Sequence, residues 1–536
     1  MVQDIGAAIR EFTLCLGAEH VLSDKRTLES YANNVTGLTQ SVPLVLKPGS
    51  TKDVVEVVAI ANRHKVPLYP LSSGKNWGLG SRLPPRAGTV VVDLGRMNRI
   101  LEINEKHHYA VVEPGVTQRQ LHEEITRRKI PYIMNVIGSG LDTSLVGNAL
   151  ERGIGYFASR AGMLSGLEVV LGNGRIVRTG FGHYDNAKNT HIYKHGVGPA
   201  LDGLFYQSNY GIVTRAGIEL LPWHGEHLSA IIKIDDEAKL QRLVDALADL
   251  RRREIVRMVV HIGNRHRTIG TLAPLVYETL PEDVRRDVPK ARATAEAMLA
   301  EEGFGPWSAV ASLSGTREQV ALARREIKAA CGDFAQCVFL NDEKIATAKK
   351  LLDLLSFLPG ARRKRAIVRA MEPVYGLSNG IPTNEAIKSV YWAAGELPPN
   401  GPLDPDQSPC GLLYCLPMIP LDGSIARASM DRIDAAFQRY GFKPMATLNI
   451  IDERCIEIVL STPFRKDDPE QVRKAHACVE ELDRAFMEEG YYPYRLSVNQ
   501  MGLVVREGDT FWETVRDLKQ VLDPNGIIAP GRYNLI

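Results

Sequence analysis

The chain has 536 residues, 44% of them hydrophobic and 24% charged, with a formal net charge of +2; that length holds about two to four domains, and the charge balance gives no reason to expect nucleic acid or a membrane surface as partner. Its seven cysteines are odd in number and include no C-x-x-C pair, so neither a disulfide framework nor a cysteine-based zinc site is suggested. No apolar run nears the ~20 residues of a membrane span, and residues 1–6 show no basic segment leading into an apolar one, so a cytoplasmic protein is expected.

Ile5, Ile9, Phe12 and Leu16 recur at helical spacing and predict an amphipathic first helix. Thr51 and Asp53 open a second helical run, and the short apolar stretch 66–71 reads as a buried strand. That strand feeds a loop, residues 72–81, with three glycines and three serines among its ten residues. Glycine lets another molecule approach the backbone, and successive free N–H groups make an anion-binding concavity. Strand candidates follow at 89–94, 100–104 and 109–116, and Thr117 caps a helix running to about residue 128. The order is α+β rather than a repeating βαβ. A second glycine-rich block spans 136–156, and Asn173-Gly174 marks a hairpin within 166–180.

From about residue 226 glycine-rich apolar blocks give way to charged helices, predicted at 237–253, 283–302, 316–330, 341–355, 423–440 and 467–489. Strand-like runs at 228–234, 255–262 and 455–460 separate them, which suggests an antiparallel sheet covered by helices. Residues 372–411 read as a long loop, and the basic run 362–365 as a solvated face. A last helix is predicted over 510–522. The turn-rich tail 523–532 carries the small-residue signature again, as if the chain returned to its first part.

The Rossmann fingerprint and the P-loop are both absent, and no metal-ligand constellation is visible. Spacing alone therefore leads to two glycine-rich loops suited to a phosphate-bearing cofactor. Six blocks, Pro70-Leu-Ser-Ser-Gly-Lys-Asn-Trp-Gly-Leu-Gly80, residues 92–99, 112–117, 147–156, 203–214 and 523–532, occur in an order that resembles FAD enzymes of the vanillyl-alcohol oxidase and p-cresol methylhydroxylase family, in particular its 4-alkylphenol oxidising branch. The resemblance implies an α+β fold. A two-subdomain FAD-binding domain would be built from residues 1–225 and 491–536, and an α/β cap domain, an antiparallel sheet covered by helices, from 226–490.

It also implies a set of FAD contacts. The pyrophosphate would lie on the N–H groups of Ser73, Gly74, Lys75, Asn76 and Gly78, flanked by Pro70, Ser72, Trp77 and Ser81. Pro114, Gly115, Gly138 and Ser144 would follow, then Gly147, Asn148, Glu151, Gly153 and Tyr156, and later Gly211, Ile212 and Val213. Glu151 and Arg152 fit either a cofactor contact or a structural ion pair, and Ile212 and Val213 either cofactor packing or plain core. Arg532 would stabilise the negative charge of reduced flavin.

On the substrate side the family removes hydride from the benzylic carbon of a bound phenolate and passes it to flavin N5. Free phenols ionise near pH ~10, so a fixed cation must favour the phenolate; Tyr494-Arg495 match the family's pair for that task. Three positions depart from the pattern. Leu79 replaces a second phenolate-binding tyrosine, and the active-site aspartate falls at Ser139, with Asp142 nearby. The covalent flavin link falls at Leu412, with Tyr414 and Cys410 as substitutes, while Asn76 replaces the attaching histidine of a sister branch. Non-covalent FAD is therefore expected, with a small-molecule substrate and oxygen or a cytochrome as electron acceptor, and the resemblance implies a homodimer. Arg495 suits a carboxylate equally. A D-2-hydroxy-acid dehydrogenase and a flavin-free binding protein of the same fold are the competing readings.

Overall fold

The computed structural model describes residues 5–534 apart from 224 and 356. Local signals set the first sheet. Ser50 caps Thr51–His64 by accepting from the Asp53 N–H, and Lys65 ends that helix in the left-handed region. The strands Val45–Leu46 and Leu68–Leu71 flanking this helix both run parallel to Val90–Asp93, which lies between them. One βαβ crossover is thus present within the α+β order, with a strand inserted at its centre. Val45–Leu46, only two residues long, carries too little pattern to be foreseen.

A second, antiparallel sheet runs in the order Ile100–Asn104, Tyr109–Val112, Gly211–Glu219, Leu164–Leu171, Ile176–Arg178. The hairpin at Asn173-Gly174 joins the last two, with Gly174 at φ 82°. Thr117 caps Gln118–Arg128 as expected, in a capping box with Gln120. The C-terminal tail does return: Leu68 donates to Ile527 O at 2.7 Å and accepts from the Ala529 N–H at 2.6 Å. Ile527, Ile528 and Ala529 are buried in the same cluster as Leu68 and Val90.

The third sheet is wholly antiparallel. Its order is Gln336–Leu340, Glu226–Ile234, Trp307–Gly315, Val260–Asn264, Met445–Ile450, Cys455–Arg465, Cys410–Cys415, with Met418–Pro420 also on Cys455–Arg465. Leu240–Arg252, Arg317–Cys331, Gly423–Tyr440 and Pro469–Glu488 share its main core, so the sheet is covered by helices on that face. No described helix is long and apolar enough to cross a membrane.

Two expectations are corrected. The strand placed at 255–262 begins only at Val260 and runs to Asn264. Arg265–Glu278 follows it at once as a helix capped by Asn264, carrying Pro274 inside. The stretch from 372 is not one loop: Pro359–Ser378 is a 20-residue helix that passes through Pro373, and Lys388–Ala393 is another. The basic run lies on the former helix, where Arg363 pairs with Glu301 and Glu302 and Arg365 with Asp353.

Candidate active site

Two loops meet through Ser144, which caps the short helix Leu145–Leu150. Its N–H donates to Ser73 Oγ at 3.0 Å, and its hydroxyl donates to Pro114 O at 2.6 Å while accepting from the Gly147 N–H at 2.9 Å. A Cβ on Gly147 would lie 2.8 Å from Ser72 Oγ, so only glycine permits this approach without displacement. The backbone N–H groups of Ser73, Gly74, Lys75 and Asn76 donate to no protein acceptor among the described residues. They border a groove whose walls also include Pro70, Ser72, Ser81, Pro114, Asn148, Gly211, Ile212 and Val213. A row of unmet donors beside a glycine is what a diphosphate requires, so the residues present fit a dinucleotide.

Glu151 and Arg532 close this groove. Glu151 pairs with Arg532, 381 residues further on, and not with its exposed neighbour Arg152. Burial opposes the charge on Glu151, yet the Arg532 and Arg495 guanidiniums hold its carboxyl below the ordinary value. Arg532 Nε also donates to Ser208 O at 3.1 Å. The tail arginine is thereby fixed on the cradle by the carboxylate of the second glycine block.

Lys75, Asn76 and Asn148 also border a second cavity of about 420 Å³. Trp77, Gly138, Ser139, Gly153, Tyr156, Tyr494 and Arg495 face this larger space, as do Leu79, Leu412 and Tyr414. Gly78 and Gly115 border neither. Gly78 sits at φ 77°, where a Cβ would lie 2.4 Å from the Tyr414 ring, and a Cβ on Gly115 would meet the carbonyls of Met97, Leu94 and Gly95. Both are packing positions. Ser81 turns its hydroxyl to Asp406 at 2.7 Å. Asp142 lies at the surface, paired with Arg119, and does not reach the cavity.

Tyr494 and Arg495 are held from both sides. Gln207 Nε2 donates to Tyr494 O at 2.8 Å and the Tyr494 N–H donates to Leu416 O at 3.2 Å. Arg495 donates to Asn76 Oδ1 at 2.5 Å, while its Nε is buried without an acceptor. The Tyr494 phenol lies beside the Glu457 carboxyl and the Arg495 guanidinium; burial and Glu457 push its ionisation well up, and Arg495 opposes them. Burial raises the Glu457 carboxyl above its ordinary value, against the opposing pull of Tyr494, Asn449 and Arg495.

Behind Glu457 lies a chain of groups missing from the sequence reading. Asn449 Nδ2 donates to Glu457 Oε2 at 2.9 Å, and His261 Nδ1 lies 2.7 Å from Asn449 Oδ1. With Asn449 oriented to donate to Glu457, its oxygen accepts and His261 Nδ1 is the donor. Burial lowers the His261 pKa to about 4, so the ring is neutral at pH 7, tilted against Tyr156 with ring centres 4.4 Å apart and with its Nε2 unpartnered. These residues come from three adjacent strands, with Asn449 directly opposite both His261 and Glu457. Alternation in 455–460 puts Glu457 on the face opposite Ile456 and Ile458, and nothing in the sequence shows that this face is buried or connects Glu457 to His261.

Comparison with known proteins agrees with this geometry. Residues 42–180 match the family model described as FAD binding domain. The chain is 32% identical over 536 residues to a 1'-carboxy-chondrochloren decarboxylase of Chondromyces crocatus, covering 99% of this chain and 98% of that protein. It is 29% identical over 540 residues to the flavoprotein subunit of 4-cresol dehydrogenase [hydroxylating] from Pseudomonas putida, covering 99% and 96%. The solved 4-ethylphenol oxidase of Gulosibacter chungangensis superposes with a TM-score of 0.84 at 28% identity, over 99% of this chain and 97% of that one. From the paired loops, the returning tail and these full-length relatives together, the chain belongs to the vanillyl-alcohol oxidase and p-cresol methylhydroxylase family of FAD-dependent oxidoreductases.

Proposed function

We propose that this enzyme removes hydride from a benzylic or alcohol carbon of a small para-substituted phenol bound as its phenolate. The observation that carries the reading is the set of half-buried Arg495 and Tyr494 with buried Glu457, facing a cavity that shares Lys75, Asn76 and Asn148 with the dinucleotide groove. Residues 1–225 and 491–536 would form the cofactor domain and 226–490 the cap. FAD held by the Ser73–Asn76 amides, Glu151 and Arg532 supplies a two-electron acceptor for the hydride.

The chain's own residues handle the proton. The Tyr494 phenol neighbours both Glu457 and Arg495, and Glu457 Oε1 has no hydrogen-bond partner among the described residues, so an incoming phenol can pass its proton by way of the Tyr494 hydroxyl to that oxygen. Burial makes Glu457 a better proton acceptor than a solvated carboxylate. Arg495 then faces the phenolate, taking the place of the tyrosine that Leu79 lacks, and its free Nε gives it a donor to spare. The apolar walls, among them Ile154, Val459 and Leu416, exclude water and strengthen that attraction.

The test is flavin bleaching under nitrogen with a panel of para-alkylphenols against carboxylate-bearing alcohols. Bleaching by the phenols supports the reading, and bleaching by the alcohols alone refutes it. Glu457→Gln is expected to slow phenol-driven bleaching by about 10²-fold or more at pH 7, with the loss shrinking as pH rises and the phenol ionises unaided. A loss that is flat with pH would speak against Glu457 as proton acceptor.

With leucine at 412 we also propose that FAD is bound non-covalently. Acid denaturation should leave the yellow colour in the supernatant; colour in the pellet overturns this. Electrons would leave to oxygen or to a partner such as a cytochrome, the latter supported by the Pseudomonas putida relative being named a flavoprotein subunit. The Chondromyces crocatus relative's name supports a second reading. After hydride removal from the benzylic carbon, a carboxylate on the neighbouring carbon leaves as CO₂ and its bonding pair closes a double bond, restoring the phenolate. Release of one CO₂ per flavin reduced distinguishes the two.

A further inference from the structure

One cation in the large cavity has no counter-charge. Arg267, in the first turn of Arg265–Glu278, borders the cavity, and no described carboxylate pairs with it within 4.0 Å. Its Nη2 donates to Ser461 Oγ at 2.6 Å and to Met445 O at 3.1 Å, whereas its Nε is buried with no acceptor. Burial is the main influence on its charge, and the groups that act on it besides are the Tyr414 and Tyr156 phenols, with no carboxylate among them. Arg160, also buried without a carboxylate, is a useful contrast: it donates to Asn135 O, Asn148 Oδ1 and Gln118 Oε1, and does not face the cavity. A desolvated guanidinium with a spare donor is costly unless an anion completes it.

The sheet fixes its place. Met445 lies opposite Ser461 and Asn449 opposite Glu457, so the Arg267 cluster and the Glu457 cluster stand four residues apart along the same face of Cys455–Arg465. That is about 13 Å at ~3.3 Å per residue, enough for one aromatic ring and a short chain between an oxyanion at Arg495 and a second anion at Arg267.

We propose that Arg267 is a substrate-binding residue that takes a carboxylate, so that the preferred substrate is a phenol whose para side chain ends in a carboxylate two or three carbons from the ring. This rests on the phenolate reading above for the orientation of the molecule, with the guanidinium itself as the independent observation. Arg267 offers the carboxylate its Nη1, the terminal nitrogen engaged by neither Ser461 nor Met445.

Isothermal titration of the FAD-loaded protein with 3-(4-hydroxyphenyl)propanoate and with its uncharged amide tests it. The acid is expected to bind at least tenfold more tightly than the amide, and Arg267→Gln to bring the two within about twofold while Arg267→Lys keeps part of the preference. Equal binding of acid and amide by the unaltered protein, or a preference that survives in Arg267→Gln, overturns the proposal. Should Arg267→Gln fail to fold, the acid-to-amide ratio of the unaltered protein and of Arg267→Lys decides it. If no phenol bleaches the flavin yet the acid preference depends on Arg267, the phenol reading fails and the carboxylate site stands. If phenols bleach the flavin but acid and amide bind alike, only the carboxylate site fails.

Discussion

Replacing Arg495 with alanine is expected to lower the rate of flavin reduction at pH 7 by about 10²–10³-fold, the usual loss when one fixed donor to a developing oxyanion is removed. Three interactions go at once: the bond to Asn76, the support of the Tyr494 oxygen, and the cation that faces the phenolate. The pH dependence identifies the cause. A free phenol ionises near ~10, so in Arg495→Ala the ionised fraction, and with it the rate, should climb about tenfold per pH unit from 7 upward. The unaltered enzyme, whose guanidinium already favours the phenolate at pH 7, should change far less over that range. Arg495→Lys keeps the charge without the planar fork and should fall between the two. Stopped-flow bleaching under nitrogen reads all three; an Arg495→Ala profile parallel to that of the unaltered enzyme would contradict the assignment.

The second large effect is structural and lies in the returning tail. Lys519, the fourth residue from the end of Thr510–Leu522, has a side chain 1% exposed, and its partner Asp523 is 0% exposed at 2.5 Å. The ammonium also donates to Asn209 O and to Ile528 O, while Asp523 accepts from the Ile527 and Ile528 N–H groups. Every donor of one ion and both oxygens of the other are therefore spent on pinning the tail that carries Arg532 to the FAD cradle. Lys519→Met leaves a buried carboxylate without its cation, and removing one partner of such a pair costs about 3–5 kcal/mol. Chemical denaturation should report that loss, and flavin release on heating should move to lower temperature with it. The double variant Lys519→Met with Asp523→Asn, which buries no charge, should recover much of the stability. Unchanged flavin release in Lys519→Met would mean that the tail does not hold the cradle closed.

Much of the fold is legible where one local interaction decides. Thr117, Asn341 and Asp422 cap their helices where a short polar side chain precedes an apolar period, and Asn173-Gly174 turns its hairpin because two positions there favour φ > 0 or a tight bend. The helices missed, Arg265–Glu278 and Pro359–Ser378, each carry an internal proline that argues against helix locally. Tertiary burial overrides it: Leu272, Ala273 and Val276 pack with Ala366, Ile367 and Ala370 in one cluster. The missed helix at 265 also hid Arg267.

The site divides the same way. The cofactor loops are contiguous runs of small residues, so their character shows in the chain itself. Glu457, Asn449 and His261 are brought together only by strand register across the third sheet, Arg267 by the packing of its helix on Met445 and Ser461, and the Glu151–Arg532 pair by the return of the tail. Nothing in the spacing of these residues predicts their meeting, because it depends on which strands become neighbours.

Whether Arg495 and Tyr494 hold a phenol as its anion beside the cofactor shows in the ionisation state of a bound phenol that lacks a benzylic hydrogen. Titrating 4-bromophenol into the FAD-loaded protein at pH 7, with a pH indicator present, should give a phenolate ultraviolet spectrum and, because Glu457 retains the proton within the site, the release of much less than one proton per ligand bound. A bound ligand with the spectrum of neutral phenol would contradict the account.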